Sequence, residues 1–194
     1  MRFERILVIL STLALLNASC DLLRTRDPQP PDGGNNQNAQ ATTSQMVLDN
    51  LQSAFANKNV NDYEKTFADT GSVSKQYVFV PTQKAAGNYS AIFLHWTKDS
   101  ESNYFRKAMA GISTAFTPVV SFTNTVSTQF QSDSALYTSD YSVFIPPTTY
   151  VGHARFFMIQ NKNNAVWVVY RWEDLPSGQD STLSWSDLKG QFSQ

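Results

Sequence analysis

The residues that could do chemistry in this 194-residue chain are two histidines, a scatter of carboxylates and a dense set of aromatic rings. His153 stands two residues from Arg155, so in an extended strand the two share a face. With Asp140 or Glu173 beside it, its imidazole could serve as a general base near neutral pH. The competing placement turns His153 and Arg155 to solvent while Gly152, Ala154, Phe156 and Met158 pack inward. His95, just before Trp96, reads as a loop residue. Asp133, Asp140, Glu173 and Asp174 could include one pocket carboxylate, although acids at strand ends are usually solvated. Two histidines without a spaced acidic cluster make no metal site, so no metal is expected. No glycine-rich phosphate loop and no G-x-S-x-G elbow occurs, so catalytic residues stay unassigned and no cofactor is expected.

The aromatic residues say more as a group. Tyr77, Phe79, Trp96, Tyr141, Phe156, Trp167, Tyr170 and Trp172 come from several segments. A concave sheet would gather some of them into one cavity suited to an apolar or planar ligand. The candidate pocket is Phe79, Trp96, Tyr141, His153 and Trp172. The alternative is that the rings simply fill the core.

Composition narrows the classes. Charged residues make up 16%, below the roughly 25% of an average soluble protein. The net charge is −1 and no long basic run occurs, so the footprint that nucleic-acid binding needs is missing. Cys20 is the sole cysteine, which excludes an internal disulfide and a multi-cysteine zinc site.

The position of Cys20 suggests another role. Arg2 and Arg5 give a cationic start, and Ile6–Leu16 is almost wholly apolar. Asn17, Ala18 and Ser19 then lead into Cys20. This is the layout of an export signal, with an apolar run too short to span a bilayer comfortably. Ala18-Ser19-Cys20 resembles the lipobox of bacterial lipoproteins, with Asn17 where an aliphatic residue is usual. The resemblance implies a diacylglyceryl group on the Cys20 thiol and cleavage before it. Each buried methylene then contributes ~0.8 kcal/mol, and two chains suffice for stable anchoring. The implied location is the cell envelope, on a membrane leaflet the sequence does not name.

After the leader, Asp21–Thr43 is rich in Pro, Gly, Asn and Gln and nearly free of apolar residues past Leu23. It reads as a flexible tether. The expected organisation is a signal peptide over 1–19, a lipidated cysteine and tether over 20–43, and one domain over 44–194.

Helical spacing begins at Ser44, where Val47, Leu48, Leu51, Ala54 and Phe55 form one stripe with Thr43 or Ser44 as cap. Asn61 and Glu64 predict a second helix. Tyr77–Val80 reads as a strand, Lys84–Tyr89 as a loop and Ala91–Trp96 as ambiguous. Asp99-Ser100-Glu101 opens a third helix with Phe105, Ala108, Met109 and Ile112 on one face. Strands then follow at Pro118–Thr125, Val126–Phe130, Ser134–Phe144, Tyr150–Ile159 and Ala165–Glu173. Asn161–Asn164 is a hairpin loop. Leu183, Trp185, Leu188 and Phe192 should pack back on the domain.

This order argues an α+β fold. Leu51–Tyr63, Phe67-Ala68-Asp69 followed by Tyr77–Pro81, and Ala165–Asp174 resemble the opening, the helix-to-strand passage and the last strand of the NTF2-like superfamily, which includes the SnoaL-like cyclases and the ketosteroid isomerases. Ser184–Gly190 fits lipid-anchored members. The resemblance implies a cone: a curved antiparallel sheet with about three N-terminal helices on its concave face. The isomerases' Asp base, Tyr and protonated Asp find no matching positions here. The leading expectation is therefore a lipid-anchored envelope domain binding a small apolar ligand or an envelope protein. The alternative is a SnoaL-like lyase or isomerase using a pocket carboxylate or His. A buried carboxylate facing an open pocket would favour the enzyme, and a plugged pocket would favour binding or assembly. Dimerisation through the exposed face of the sheet is a further expectation.

Overall fold

The computed structural model describes residues 38–178 and 182–194. The leader, Cys20 and most of the expected tether lie outside the described residues. The elements below belong to one folded unit, Gln37–Gln194.

Helix α1 spans Ser44–Ala56, with the Thr43 side chain accepting from the Met46 N–H and the expected five apolar residues buried along one face. The segment before it, expected as the end of the tether, is held against the domain. Asn38 N–H donates to Asp62 at 2.8 Å, Asn50 Nδ2 to the Ala39 carbonyl at 2.7 Å, and Trp167 N–H to the Ala41 carbonyl at 2.8 Å. Helix α2, Val60–Lys65, is capped by Asn59 rather than Asn61. Lys58 adopts φ 52° and turns the chain at once, so Asn59 is already the extended residue at the cap position.

Strand β1 is only Val78–Val80. Two short helices follow, α3 at Gln83–Asn88 and α4 at Ser90–Phe93. The first replaces an expected loop: Thr82 caps the Ala85 N–H, and Ala85 is buried. One apolar residue per turn is too little periodicity to reveal such a helix in sequence. Helix α5, Lys98–Ala110, opens with a capping box between Thr97 and Ser100.

Four long strands complete the sheet: β2 Val119–Gln131, β3 Ser134–Ile145, β4 Thr148–Gln160 and β5 Trp167–Leu175. The two strands expected over 118–130 are one bulged strand. Its register shifts between Thr123 and Val126, where Asn124 adopts φ 51°; an extra residue at a bulge bends a strand without ending it. The sheet order is β1-β5-β4-β3-β2, antiparallel throughout except that β1 runs parallel to β5. Alternation sends Ala135, Tyr137, Tyr141, Val143 and Ile145 of β3, and Tyr150, Ala154, Phe156 and Met158 of β4, to the concave side. Helix α6, Trp185–Gln191, follows a capping box of Ser184 and Asp187 and packs into that side, with Trp185, Leu188 and Lys189 fully buried. Among the described residues no helix is long and apolar enough to cross a membrane.

Gly152 is where β4 lets its neighbours close in. A Cβ there would lie 2.7 Å from the Leu175 carbonyl and would overlap the Tyr141 hydroxyl. Gly152→Val should therefore lower stability by about 1–3 kcal/mol, the usual cost of overpacking. In α3, a Cβ at Gly87 would meet nothing within 4 Å, so Gly87→Ala should leave stability unchanged or slightly raised. Urea unfolding of both variants checks the contrast.

Candidate functional site: a buried ion pair plugged by the C-terminal helix

Helix α5 carries Glu101 on the same stripe as Phe105, Ala108 and Met109, at spacings of four, seven and eight. The stripe faces the sheet, so the carboxylate enters the core and is fully buried. A buried carboxylate must have its oxygens satisfied, and this one takes donors from the surrounding elements. Oε1 accepts from Tyr77 Oη at 2.6 Å, Trp96 Nε1 at 2.7 Å and Lys189 Nζ at 2.5 Å. Oε2 accepts from Tyr63 Oη at 2.7 Å. Tyr104 shares a 3.0 Å hydrogen bond with Tyr63 and accepts from Trp185 Nε1 at 3.0 Å.

Lys189 comes from α6, one turn past Trp185, and is also fully buried. Its ammonium lies 3.5 Å from the Phe79 ring centroid and 3.6 Å from that of Trp172, with Trp96 and Tyr104 further out. Cation–π attraction and the Glu101 carboxylate together replace its lost hydration. Burial nevertheless pulls the Lys189 amine from 10.5 down to about 8, against the opposing effects of Glu101 and Asp174. Burial first, then the Glu101 charge, pushes the Tyr63, Tyr77 and Tyr104 phenols well above 10.0.

A second buried carboxylate seats the start of α6. Asp174 accepts from Tyr141 Oη at 2.6 Å, from Ser186 N–H at 2.7 Å and from Ser186 Oγ at 2.5 Å. The Tyr141 hydroxyl in turn accepts from Trp185 N–H at 2.8 Å. Burial raises the Asp174 pKa, and the Ser186 and Tyr141 hydrogen bonds oppose the rise.

The residues expected in a pocket divide accordingly. Phe79, Trp96 and Trp172 converge around Lys189, and Tyr141 lies by Asp174 under the entry to α6. Trp185 fills the space between them, at ring distances of 4.6 Å from Trp172 and 5.3 Å from Tyr141. His153 is not with them. It stands on the convex face, opposite Asp140 in the β3–β4 register, and its Nδ1 pairs with Asp140 Oδ1. Asn124 Nδ2 holds the other Asp140 oxygen at 2.7 Å, and these hydrogen bonds keep the Asp140 carboxyl below its usual value. Arg155 and Arg171 flank Glu173 on that same face. His95 is exposed in the turn before α5, and Asp133 pairs with Lys162 at 3.4 Å.

Neither Glu101 nor Lys189 stands out by residue type. The available signal is a carboxylate on an apolar helical stripe, and a lysine four residues after a tryptophan on a short amphipathic helix.

The chemical consequence is specific. Glu101 spends its accepting positions on four donors, so it is a structural anion rather than a base open to substrate. The space beneath the sheet is filled by Trp185, Leu188 and Lys189, all fully buried. A separate hollow of about 340 Å³ opens beside the entry of the chain, lined by Asn38, Asp62, Lys65, Phe67, Lys98 and Trp167 among others. Its lysines are already engaged, Lys65 with Asp62 at 3.1 Å and Lys98 with Asp69 at 3.4 Å. Among the described residues no group of three His, Cys, Asp or Glu could hold a metal.

No protein-family model matches the chain, and no curated protein matches it. Solved structures do resemble it. A Streptomyces avermitilis protein of the NTF2-like family superposes with TM-score 0.50 at 10% identity, over 68% of this chain and 91% of that one. A function-unknown protein from Mycobacterium tuberculosis gives 0.50 at 9% identity, over 77% and 82%. A Bdellovibrio bacteriovorus protein gives 0.51 at 10% identity, over 70% of this chain but 40% of its own. At these identities the likeness is one of fold: the domain is an α+β, NTF2-like cone whose sheet stays open.

Two predictions follow from the buried cluster. Removing one partner of a buried pair strands the other, so Glu101→Gln and Lys189→Met should each cost about 3–5 kcal/mol, and the double variant much less than their sum. Denaturant unfolding of the four proteins reads the coupling. The second concerns alkaline pH. The folded phenols have raised pKa values, so their contribution to stability is complete below the unfolded value of 10.0 and is lost as pH rises above it. Thermal scans should show a falling Tm above that pH, and the 295 nm phenolate signal of the native protein should stay short of the full complement until unfolding.

Proposed function

We propose that this chain is a lipid-anchored domain of the bacterial cell envelope that acts by binding a protein partner through its outer surface, without catalysis. The observation that carries the binding reading is the filled cone. The interior position where an NTF2-like fold has room for a small molecule holds the chain's own helix, and the buried carboxylates of Glu101 and Asp174 are both engaged by donors of the chain itself. The lyase or isomerase alternative needs a carboxylate or His facing open space. Glu101 faces Lys189, Asp174 beside a hollow of about 560 Å³ is taken up by Tyr141 and Ser186, and His153 sits on the other side of the sheet. A small apolar ligand inside the cone would have to displace Trp185 and Lys189 together.

The anchoring half rests on the leader, on Ala18-Ser19-Cys20 and on the tether composition of the segment that follows. The two acyl chains of one diacylglyceryl group would bind the membrane stably, with the tether holding the domain off the surface.

One experiment addresses both halves. The full chain is expressed in a bacterium beside Cys20→Ala. The wild type should lose Met1–Ser19, gain acyl mass and enter the detergent phase, whereas the variant should do none of these. Planar apolar molecules added to the purified wild type should leave its Tm and tryptophan emission unchanged. Full-length masses without acylation for both proteins, differing by the Cys20→Ala substitution alone, would remove the anchor. Saturable stabilisation with a change in tryptophan emission would place a ligand inside the cone and remove the non-catalytic partner reading.

A further inference from the structure

Helix α5 has a second face. The stripe of Glu101, Phe105, Ala108 and Met109 is buried, whereas Asn103, Arg106 and Lys107, one turn apart on the other side, are exposed. A hollow of about 470 Å³ lies along that outer side, within the size range of small-molecule sites. Its walls come from α4, from the turn before α5 and from the residues that follow α6. Ile92, Trp96 and Phe192 supply apolar surface, and Ile92 and Phe192 are only partly buried. The Trp96 indole N–H is spent inside the domain on Glu101 at 2.7 Å, so the ring offers the hollow carbon and no donor.

The charge of this hollow is one-sided. Arg106 and Lys107 line it, and among the described residues that do so there is no Asp or Glu. The acids nearest along the helix are placed elsewhere. Glu101 is turned inward to its four donors, and Asp99 lines a separate hollow beside Tyr77. Lys107 Nζ already has an acceptor, the main-chain oxygen of Gln194 at 2.9 Å. Arg106 differs. Its Nη1 donates to Asn103 Oδ1 at 2.9 Å, an uncharged acceptor, and among the described residues no carboxylate pairs with it. A guanidinium carries five N–H donors in a planar fork, so most of this fork is left unspent while Asn103 holds it in place.

We propose that this hollow binds a small carboxylic acid with an apolar body, its carboxylate on Arg106 and its body against Ile92, Trp96 and Phe192. Two features select that class. The unpaired guanidinium matches one planar carboxylate, which it can hold through two parallel hydrogen bonds. The walls gain only from a ligand that covers their apolar surface. A neutral apolar molecule leaves Arg106 without its anion, and a bare anion leaves the walls to water. The site is on the outer side of α5, apart from the filled cone. It goes beyond the protein-partner reading and does not rest on it.

Isothermal titration of 3-phenylpropanoate into the full chain carrying Cys20→Ala, which cannot be acylated there, tests this. Binding should saturate at one equivalent. The alcohol 3-phenylpropan-1-ol, the same body without the charge, should bind at least about tenfold more weakly, the loss expected for one charge-assisted pair. Arg106→Gln should weaken the acid by a similar factor with Tm unchanged, since the side chain is exposed. Arg171→Gln, on the convex face, should bind as the parent does. Raising sodium chloride from about 0.05 to about 0.5 M should weaken the parent severalfold, a readout that needs no variant. All these proteins carry the same leader, so differences among them belong to the hollow. No saturable binding, equal affinity for acid and alcohol, undiminished binding to Arg106→Gln, an equal loss in Arg171→Gln, or an affinity indifferent to salt would each overturn the proposal. The anchor is read by mass and phase partitioning, so the two proposals can fail separately.

Discussion

A carboxylate placed in an apolar core must be surrounded by donors, and the architecture of this domain is organised around meeting that demand at Glu101. Its donors come from α2, from the chain entering β1, from the loop before α5 and from α6. Four separate segments are tied to one side chain, so their relative positions are fixed by hydrogen-bond geometry as well as by apolar packing. Replacing the cluster with apolar residues of equal volume could be neutral or stabilising by itself. What the buried pair supplies is a single acceptable seating for α6, because only one helical register brings Lys189 to Glu101 and Trp185 to Tyr104.

The aromatic rings are the second half of that arrangement. Phe79 and Trp172 cover the Lys189 ammonium, and Trp185 meets Phe55, Trp172 and Tyr141 nearly edge-on. The same rings that could have lined a ligand cavity therefore receive a helix of the same chain. The Trp172 indole N–H finds no acceptor among the described residues, a cost of roughly 1–3 kcal/mol that the packing of its ring must offset. The interior beneath the sheet is thereby a core closed by a helix of the same chain.

The convex face is the more polar of the two. The cross-strand Asp140–His153 contact and the Arg155–Glu173–Arg171 cluster are half-exposed, where such pairs contribute little to stability. They keep the broad face solvated, in contrast to the uncharged β2 edge beside it.

By itself, the sequence determined the class of fold and most of its elements. Periodic apolar stripes define α1 and α5, and strict alternation defines β3 and β4, because those patterns are direct consequences of helical and pleated geometry. Where the pattern is short or interrupted it failed. Helix α3 buries one alanine, α2 starts two residues early through the turn at Lys58, and β2 continues through a bulge at Asn124. The convergence of Phe79, Trp96 and Trp172 was legible as a tendency of scattered aromatic residues to meet under a curved sheet. Their occupant was not. Glu101 and Lys189 lie 88 residues apart, on helices whose local sequences place a charge at an ordinary helical position. Only the tertiary packing that buries both could decide that they meet, because their pairing is favourable only after water has been excluded from each.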